Sequence, residues 1–383
     1  MRRLGVVIAL AMLAGVGCKK KAEEGQQLPP IVVGNVMPLS GDIATFGQSA
    51  NNGVKLAFEA ANAAGGIKGR KLQLQVYDTV GKPEEAAVAA TRAITQQKAV
   101  LLIGELGSGG SLAIAPIAET NKVPTISPAS TSPKVTKDGD RTRPHMFRVC
   151  FIDPFQGTVM ARFARENLKV KRAAIVRDVS NDYSMGLAEY FTRTFKELGG
   201  EIVVDVSYKG GDQDFKAQLT KVKFADPELI YVPGYYTDVA LIGRQSREVG
   251  LKAPLAGGDG WDSTNLYEIA QGALDGSYFS NHYSTENPSP TVQEFVKKYE
   301  AAYNAKPDAF AALGYDAALL ALDAMRRAGD LTPGAIRDAI EQTQTLQGVT
   351  GTMRLDADHN AVKSAVIMGI QENAPKYVAT VDP

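Results

Sequence analysis

The chain has little of the side-chain chemistry on which catalysis and metal binding depend. Its 383 residues include only three histidines and one tryptophan. The histidines, His145, His282 and His359, lie far apart, and none has a metal-ligand spacing or stands beside a nucleophile motif. We interpret each as a surface residue or a residue at a crossing between domains. The sequence therefore disfavours a metalloenzyme or a histidine-dependent hydrolase.

Cysteine is equally scarce. Cys18 and Cys150 are the only two, and the first lies in an N-terminal leader, so the mature chain cannot form an internal disulfide. Stability must come from a hydrophobic core, and 383 residues with 44% hydrophobic content suffice for two domains. Cys150 precedes Phe151 and has no nearby histidine, which favours a buried structural thiol over a nucleophile.

Net charge and long apolar runs are also missing. Lys and Arg total 42 and Asp and Glu total 42, so no net field favours nucleic acid, and we expect no nucleic-acid partner. No apolar run long enough to span a bilayer follows Cys18. We therefore expect a soluble body.

The N-terminus has the organisation of a secretion signal. Two arginines precede the apolar stretch Leu4 to Val16 and the small Gly17, so we assign 1–17 to a signal peptide and the protein to the periplasm or cell surface. The site before Cys18 resembles the lipobox of bacterial lipoproteins, in which this cysteine is lipidated, although Gly15 stands where that pattern favours leucine. The resemblance predicts a membrane anchor through lipidated Cys18, with 18–30 as a flexible tether; a plain secreted protein is the alternative.

From Ile31 onward, short β-rich runs alternate with longer alanine-rich amphipathic runs, which indicates parallel sheets covered by helices. The first series has strands at 31–39, 71–77, 99–104 and 123–126, and helices at 48–64, 83–97 and 111–121. A second series follows Cys150, with helices at 155–168, 183–198, 214–224 and 237–249, and strands at 172–177, 201–208, 229–233 and 254–256. Two α/β lobes predict a ligand cleft between them.

The C-terminal part is mostly helical, at 291–303, 309–327 and 333–343, before strands at 352–355 and 364–370. Such a tail cannot form a third domain of the same kind. We expect it to complete the first lobe and its last strand or so to complete the second. The predicted domains are 31–150 plus 284–362 and 151–283 plus 363–383.

Ligands of open α/β sheets bind beyond the carboxyl ends of the strands, so the turns after strands are the candidate sites. The richest turn, 104–111, comes close to a P-loop, but Gly110 occupies the lysine position. It also fails G-x-G-x-x-G, because Leu112 replaces the last glycine. What remains is a helix N-terminus with the hydroxyl of Ser108, which suits a carboxylate. Alternatively, Ser108 only caps the helix.

Four other turns add complementary groups. The turn at 127–131 supplies the hydroxyls of Ser130 and Thr131, and the turn at 257–262 supplies Asp259 among glycines. Asp259 can either cap the next segment or pair with an ammonium group, and the sequence does not choose. The turns at 181–183 and 234–236 bring tyrosines. Together the turns provide an anion site, a cation site and aromatic side chains.

Several motifs in this order resemble the leucine/isoleucine/valine-binding type of periplasmic binding protein, from about Ile31 to the C-terminus. They are Val36-Met37-Pro38-Leu39-Ser40-Gly41, Phe46-Gly47, Asn52-Gly53, Gly65-Gly66-Ile67-Lys68-Gly69, Ser127-Pro128-Ala129-Ser130-Thr131, Phe147-Arg148, Asp153, Gln156-Gly157 and Gly258-Asp259-Gly260-Trp261. The resemblance implies two Rossmann-like lobes, joined by three crossings, that close on an amino acid and deliver it to an ABC permease and its ATPase. It implies no catalytic residues and no cofactor, and we expect a monomer.

The resemblance also implies roles for individual residues. Ser108 and Thr131 would take the ligand carboxylate; the Ser130 carbonyl and the Thr131 hydroxyl would meet the ammonium group, with Asp259 as its counter-charge. The remaining members are aromatic: Tyr183, Tyr235 and Tyr236 would close over the ligand, and Phe46 and Trp261 would line the side-chain pocket. This chain lacks the first-lobe disulfide of well-studied members, and Asp259 stands where some have glutamate. A sensor of the same fold, for an amide, small carboxylate or aromatic compound, is the main alternative.

Overall fold

The computed structural model describes residues 28–383. The predicted signal peptide, most of the tether and Cys18 lie outside these residues. Within the described part of the chain, no helix is long and apolar enough to cross a membrane.

The first part of the chain forms a five-stranded parallel sheet in the order β2-β1-β3-β4-β7, with a separate two-stranded ribbon, β5-β6. Its central strand, Leu101–Gly104, is buried along its whole length, as expected for a parallel strand between helical layers. The elements are β1 Ile31–Met37, α1 Ala44–Ala63, β2 Leu72–Asp78, α2 Pro83–Thr95, β3 Leu101–Gly104, α3 Ser108–Asn121, β4 Thr125–Ser127, β5 Lys137–Asp138, β6 Arg141–Thr142 and β7 Met146–Arg148.

The second part builds most of a seven-stranded sheet, in which neighbouring strands of this segment are parallel. Its first helix continues as a π-helical turn over Phe163–Asn167, and a short 3₁₀ helix, Asp259–Trp261, follows one strand. The elements are α4 Asp153–Arg162, β8 Arg172–Asp178, α5 Asp182–Glu197, β9 Glu201–Tyr208, α6 Lys216–Ala225, β10 Leu229–Tyr231, α7 Tyr236–Glu248, β11 Leu255–Gly257, α8 Thr264–Ala270 and β12 Tyr278–Asn281.

The C-terminal part is shared between the two lobes. Its longest helix, α10, packs on α1 of the first lobe, and its last two strands extend the second sheet, giving the order β17-β16-β12-β11-β10-β8-β9. The elements are α9 Pro290–Tyr303, α10 Ala309–Arg327, α11 Pro333–Glu341, β13 Leu346–Gly348, β14 Gly351–Leu355, β15 Ala361–Val362, β16 Ala365–Gln371 and β17 Ala374–Val381.

The chain therefore passes between the lobes at three places, 149–152, 282–289 and 363–364. The predicted fold class, two α/β lobes with a cleft between them, is confirmed. The predicted domain boundaries, 31–150 plus 284–362 and 151–283 plus 363–383, remain a proposal.

Some elements differ from the prediction. The second sheet is not wholly parallel, because β16 and β17 join it antiparallel. Several elements were not predicted: strands β7, β12 and β17, the short strands β5, β6, β13 and β15, and helix α8. Strand β7 is not recognisable as a buried strand in the sequence because it contains the charged Arg148. The guanidinium of Arg148 is nevertheless fully buried and donates to the carbonyls of Ser130 at 2.6 Å and Ser132 at 2.9 Å.

Candidate functional site

A closed cavity lies between the carboxyl ends of the two sheets, where the topology predicts a site. Its free volume is only about 10 Å³, far below the roughly 300–1,000 Å³ of sites for drug-sized ligands, so its walls lie close together. This volume holds about one water molecule, so a ligand must widen the cavity. Its lining comes from both lobes: Phe46, Leu106, Ser108, Ala129, Thr131 and Phe310 from the first, and Tyr183, Tyr235, Asp259 and Gly260 from the second.

Ser108 and Thr131 form the polar wall of the first lobe. Helix α3 begins at Ser108, and its N-cap residue is Gly107, which has no side chain to form a capping bond. The Ser108 hydroxyl instead accepts from the amide of Ser132 at 3.2 Å, so Ser108 does not cap the helix. The Thr131 hydroxyl is buried and has no hydrogen-bond partner among the described residues. It lies near enough to Asp153 to lower the pKa of that carboxyl, but the two groups do not have the geometry of a hydrogen bond.

Glu105 is a buried charge that the sequence analysis did not single out. Its Oε2 accepts from the amides of Leu106 at 2.7 Å and Gly107 at 2.8 Å, and its Oε1 accepts from the hydroxyl of Thr79. Burial raises the pKa of this carboxyl. The amide groups of the turn before α3 are thus already occupied, which leaves the first amides of the helix itself for an anion.

Ser130 lies behind the cavity wall. Its hydroxyl bonds to Ser111 at 2.7 Å, and its carbonyl accepts from Arg148 at 2.6 Å and from Cys150 at 3.4 Å. Ser130 is completely buried and does not line the cavity. These contacts fix the shape of the 127–131 turn, which also carries Thr131.

Asp259 is the buried carboxylate of the second lobe. Its Oδ1 accepts from the Tyr183 hydroxyl at 3.0 Å and from Nε2 of Gln156 at 3.2 Å, and its Oδ2 lies 3.0 Å from Nε2 of His282. The N-cap of the 3₁₀ helix is Gly258, and the Asp259 side chain makes no capping bond. The carboxylate is therefore held by side chains at the cavity.

Aromatic rings make up the rest of the wall. The Phe46 ring stacks on Phe310 with centroids 3.8 Å apart, and Tyr183 and Tyr235 stack in parallel at 5.3 Å. Tyr236 does not line the cavity but packs edge-on against Phe46 at 5.1 Å. Each stacked pair lies within one lobe, whereas the contact of Phe46 with Tyr236 joins the two lobes and forms only when the cleft is closed.

Trp261 does not line the cavity, contrary to the expectation for it. Its side chain is fully buried within the second lobe, and its Nε1 donates to the Val232 carbonyl at 3.0 Å. A Cβ on Gly257 would come within 2.2 Å of the indole, so this glycine makes room for the ring. Trp261 is a core residue that shapes the turn carrying Asp259.

Phe310 was missed because it stands at the start of α10 rather than at a turn after a strand. Only the return of the C-terminal part to the first lobe brings it to the cavity. His282 and Gln156 were also missed as neighbours of Asp259. Gln156 is distant from Asp259 in the sequence, and His282 stands at a crossing between the lobes. Their residue types alone therefore do not indicate a contact with the carboxylate.

Burial shifts the pKa of three ionisable groups near the cavity. Burial lowers the pKa of His282 to about 4, so its imidazole is neutral at neutral pH. Burial raises the pKa of Asp153 to about 7 and that of the Cys150 thiol to about 12, so this thiol carries almost no thiolate. Within 28–383, no three histidine, cysteine or acidic side chains are grouped to hold a metal ion.

Residues 30–375 match the family model of a periplasmic binding protein. The chain belongs to this family. Among curated relatives, the Leu/Ile/Val-binding protein homolog 3 of Brucella melitensis is 30% identical to this binding protein over 325 residues, which cover 84% of this chain and 86% of the relative. The family predicted from the sequence motifs is therefore confirmed.

Solved structures agree with this assignment. A leucine-binding protein of Thermotoga maritima is 40% identical, with a TM-score of 0.87 over 92% of this chain and 99% of its own. A branched-chain amino acid transporter substrate-binding protein of Streptococcus pneumoniae, solved with isoleucine, is 35% identical, with a TM-score of 0.87 over 92% and 100%. A solute-binding protein of R. palustris, solved with benzoate, is 26% identical, with a TM-score of 0.83 over 92% and 97%.

Proposed function

We propose that this periplasmic binding protein captures a small amino acid, branched-chain or otherwise apolar, by closing its two lobes, and delivers it to an ABC permease and ATPase. The observation that carries the proposal is the position of Asp259. A carboxylate that is 97% buried lies at a small closed cavity whose opposite wall carries hydroxyls and a helix N-terminus. A zwitterion matches both walls at once.

The proposed contacts follow from this polarity. The first amides of α3 and the hydroxyls of Ser108 and Thr131 bind the ligand carboxylate, because a helix N-terminus favours negative charge. Asp259 binds the ammonium group. The phenyl rings of Phe46 and Phe310 enclose the ligand side chain, and a branched aliphatic group gains most from such a wall. Ser130, Tyr236 and Trp261 act indirectly, by shaping the surfaces that touch the ligand.

A small carboxylate without an amino group is the main alternative, and the related protein solved with benzoate gives it weight. Asp259 argues against it here. A ligand that lacks a cation would leave this carboxylate without a countercharge beside a second negative group, and burying unpaired charge is costly. Sensing of the same ligand by a separate partner remains the alternative biological role.

Binding is tested with a thermal-shift panel of amino acids, amides and small carboxylates, followed by isothermal titration of the best ligand. We expect a branched-chain amino acid to bind one-to-one at micromolar Kd or tighter, about −8 kcal/mol. Asp259→Asn keeps the shape but removes the charge, and we expect it to cost about 2–5 kcal/mol, at least about thirtyfold in Kd.

The matched control is Asp262→Asn, three residues away. Its carboxylate does not line the cavity but accepts from the Ala309 amide of the other lobe at 2.7 Å. The side-chain oxygen of asparagine can keep this bond, so binding should change little. No shift with any amino acid, or near-normal binding by Asp259→Asn, would contradict the amino-acid assignment.

We further propose that lipidated Cys18 anchors the protein, as the N-terminal sequence predicts. Cys18→Ser should then release the protein into the soluble fraction, because the anchor depends on the acyl chains. The measurement is the partition of wild type and variant between membrane and soluble fractions, with a second lipoprotein of the same cells as the control. An unchanged membrane fraction would refute the anchor.

A further inference from the structure

His282 connects the carboxylate at the cavity to the crossings between the lobes. It follows β12 at the start of the second crossing, and its ring stacks on Phe151 of the first crossing with centroids 3.6 Å apart. Its Nε2 lies 3.0 Å from Oδ2 of Asp259, and the histidine is 98% buried. A buried histidine in this place belongs to no motif by which the family was recognised.

From this geometry we infer that His282 is a positioning residue for ligand binding: it donates from Nε2 to Asp259 and holds that carboxylate in the orientation that receives the ligand's ammonium group. The inference rests on the proposed function, since it assumes an ammonium ligand at Asp259. The structure places His282 behind the carboxylate, outside the cavity lining, so it acts through Asp259 and does not touch the ligand.

The tautomer follows from the contacts. In a neutral imidazole one nitrogen is a donor and the other an acceptor. Nδ1 is buried with no hydrogen-bond partner within 28–383, whereas Nε2 faces a carboxylate oxygen. An unpaired acceptor is better tolerated than an unpaired N–H donor, so the proton belongs on Nε2. The imidazole then donates to Asp259 without bringing a positive charge that would compete with the ligand.

The other donors leave Asp259 one open direction. An ionised carboxylate offers about four acceptor positions. The Tyr183 hydroxyl and the Gln156 amide bond to Oδ1, and His282 bonds to Oδ2. The position left on Oδ2 is available to the ligand. Without His282 that oxygen would have no donor from the described protein residues, and the carboxylate could turn toward other partners.

Burial favours the neutral form of His282, although the Asp259 carboxylate acts in the opposite direction. The ionisable groups that bear on it or on its partner come from the second lobe and from the first and third crossings. They are Asp259, Asp153, Cys150 and Lys363. Burial lowers the pKa of Lys363 to about 8, and its remaining charge disfavours protonation of the histidine. An uncharged donor at this place is thus a consequence of the packing of the crossings.

Two substitutions separate positioning from bulk packing. In His282→Gln the amide nitrogen can occupy the place of Nε2, whereas in His282→Asn it is one bond too short to reach Asp259. We expect His282→Gln to bind the best amino acid within about threefold of wild type. His282→Asn should bind about tenfold to a hundredfold more weakly, the range for a lost hydrogen bond to a charged group.

The matched control is His359→Gln. His359 is also buried and also stacks on a phenylalanine, Phe147, with centroids 4.2 Å apart, but its Nδ1 faces the carbonyl of Met146 rather than the cavity. Its replacement should leave Kd unchanged even if it lowers the melting temperature.

A spectroscopic measurement on the wild type does not depend on the variants' folding. Imidazole ¹⁵N NMR of the ligand-free protein should show a proton on Nε2 of His282, and the signal should move when ligand is added. His282→Asn binding within threefold of wild type, equal weakening by both His282 variants, or an unprotonated Nε2 would overturn the inference. If the wild type binds no amino acid at all, the proposed function and the inference about His282 both fail. If Asp259→Asn alone loses binding, only the role of His282 fails.

Discussion

At the scale of single residues, the site contains polar groups that the protein itself leaves unsatisfied. Buried polar atoms nearly always have a hydrogen-bond partner, and each exception calls for an explanation. The hydroxyl of Thr131 is such an exception among the described residues, and it lies on the cavity wall. A ligand carboxylate would supply the missing partner. The stability cost of this hydroxyl in the free protein is then recovered on binding.

Thr131→Val therefore has opposite effects on stability and affinity. Valine has nearly the same shape and removes the unpaired hydroxyl, so the free protein should melt at the same temperature or slightly higher. Ligand affinity should fall by about 1.5–3 kcal/mol, because a hydrogen bond to a charged group is lost. Calorimetric melting of the free protein and isothermal titration measure the two effects. A variant that is less stable but binds normally would show that Thr131 is only structural.

At the scale of secondary-structure elements, the two longest helices approach through small residues. Gly53 of α1 and Gly314 of α10 face the backbone of the opposite helix. A Cβ at Gly53 would lie 2.0 Å from the carbonyl oxygen of Ala311, and one at Gly314 would lie 2.2 Å from that of Ala50. This contact attaches the C-terminal part to the first lobe. It also brings Phe310, at the start of α10, to the cavity.

Gly53→Ala should consequently lower stability by about 1–3 kcal/mol, the usual cost of overpacking a close contact. The matched control is Gly334→Ala in the first turn of α11, where an added Cβ meets nothing within 4 Å. There alanine should be neutral or stabilise by up to about 1 kcal/mol. Denaturant unfolding of the three proteins measures the difference. Equal stability of the two variants would contradict the close helix contact.

The same elements show how much the sequence could predict. Strands β8 and β9 and helix α10 were predicted within a residue because their apolar periodicity is strong. Helix α3 begins three residues earlier than predicted, since Ser108 and two glycines give weak helix signals. The turns after parallel strands located Ser108, Thr131, Tyr183, Tyr235 and Asp259 at one cavity. Pairings across long separations, such as Phe46 with Phe310, depend on tertiary packing that local patterns do not encode.

At the scale of the whole molecule, the described form is closed, and a few contacts join the lobes across the cleft. The Lys134–Asp182 ion pair, 3.2 Å long, is well exposed, with side chains 72% and 45% accessible, so it contributes little to closure. The hydroxyls of Thr45 and Ser263 meet at 3.0 Å in a partly buried place. The Asp262 carboxylate of the second lobe also accepts from the Ala309 amide of the first at 2.7 Å, and Phe46 packs on Tyr236. The ligand adds its own contacts to these. At a hundred times Kd it should stabilise the protein by about 2.7 kcal/mol.

A disulfide across the cleft tests whether the ligand enters and leaves only through lobe opening. Thr45→Cys with Ser263→Cys, in a chain carrying Cys18→Ser, places two thiols where the hydroxyls now touch. Cys150 should not interfere, because burial raises its pKa to about 12 and keeps it unreactive. Oxidised without ligand, the closed protein should take up labelled amino acid far more slowly than after reduction. Oxidised with ligand, it should retain the label through dialysis.

The single cysteine variants are the controls, and Ser263→Cys alone shows the cost of losing its capping bond to Asn265, about 1 kcal/mol. Reduction should restore both uptake and release to the rates of these single variants. Rapid exchange in the oxidised form would mean that the ligand reaches the cavity without separation of the lobes. Because the cavity wall is divided between the lobes, with Asp259 on one and Thr131 on the other, we expect exchange to require opening.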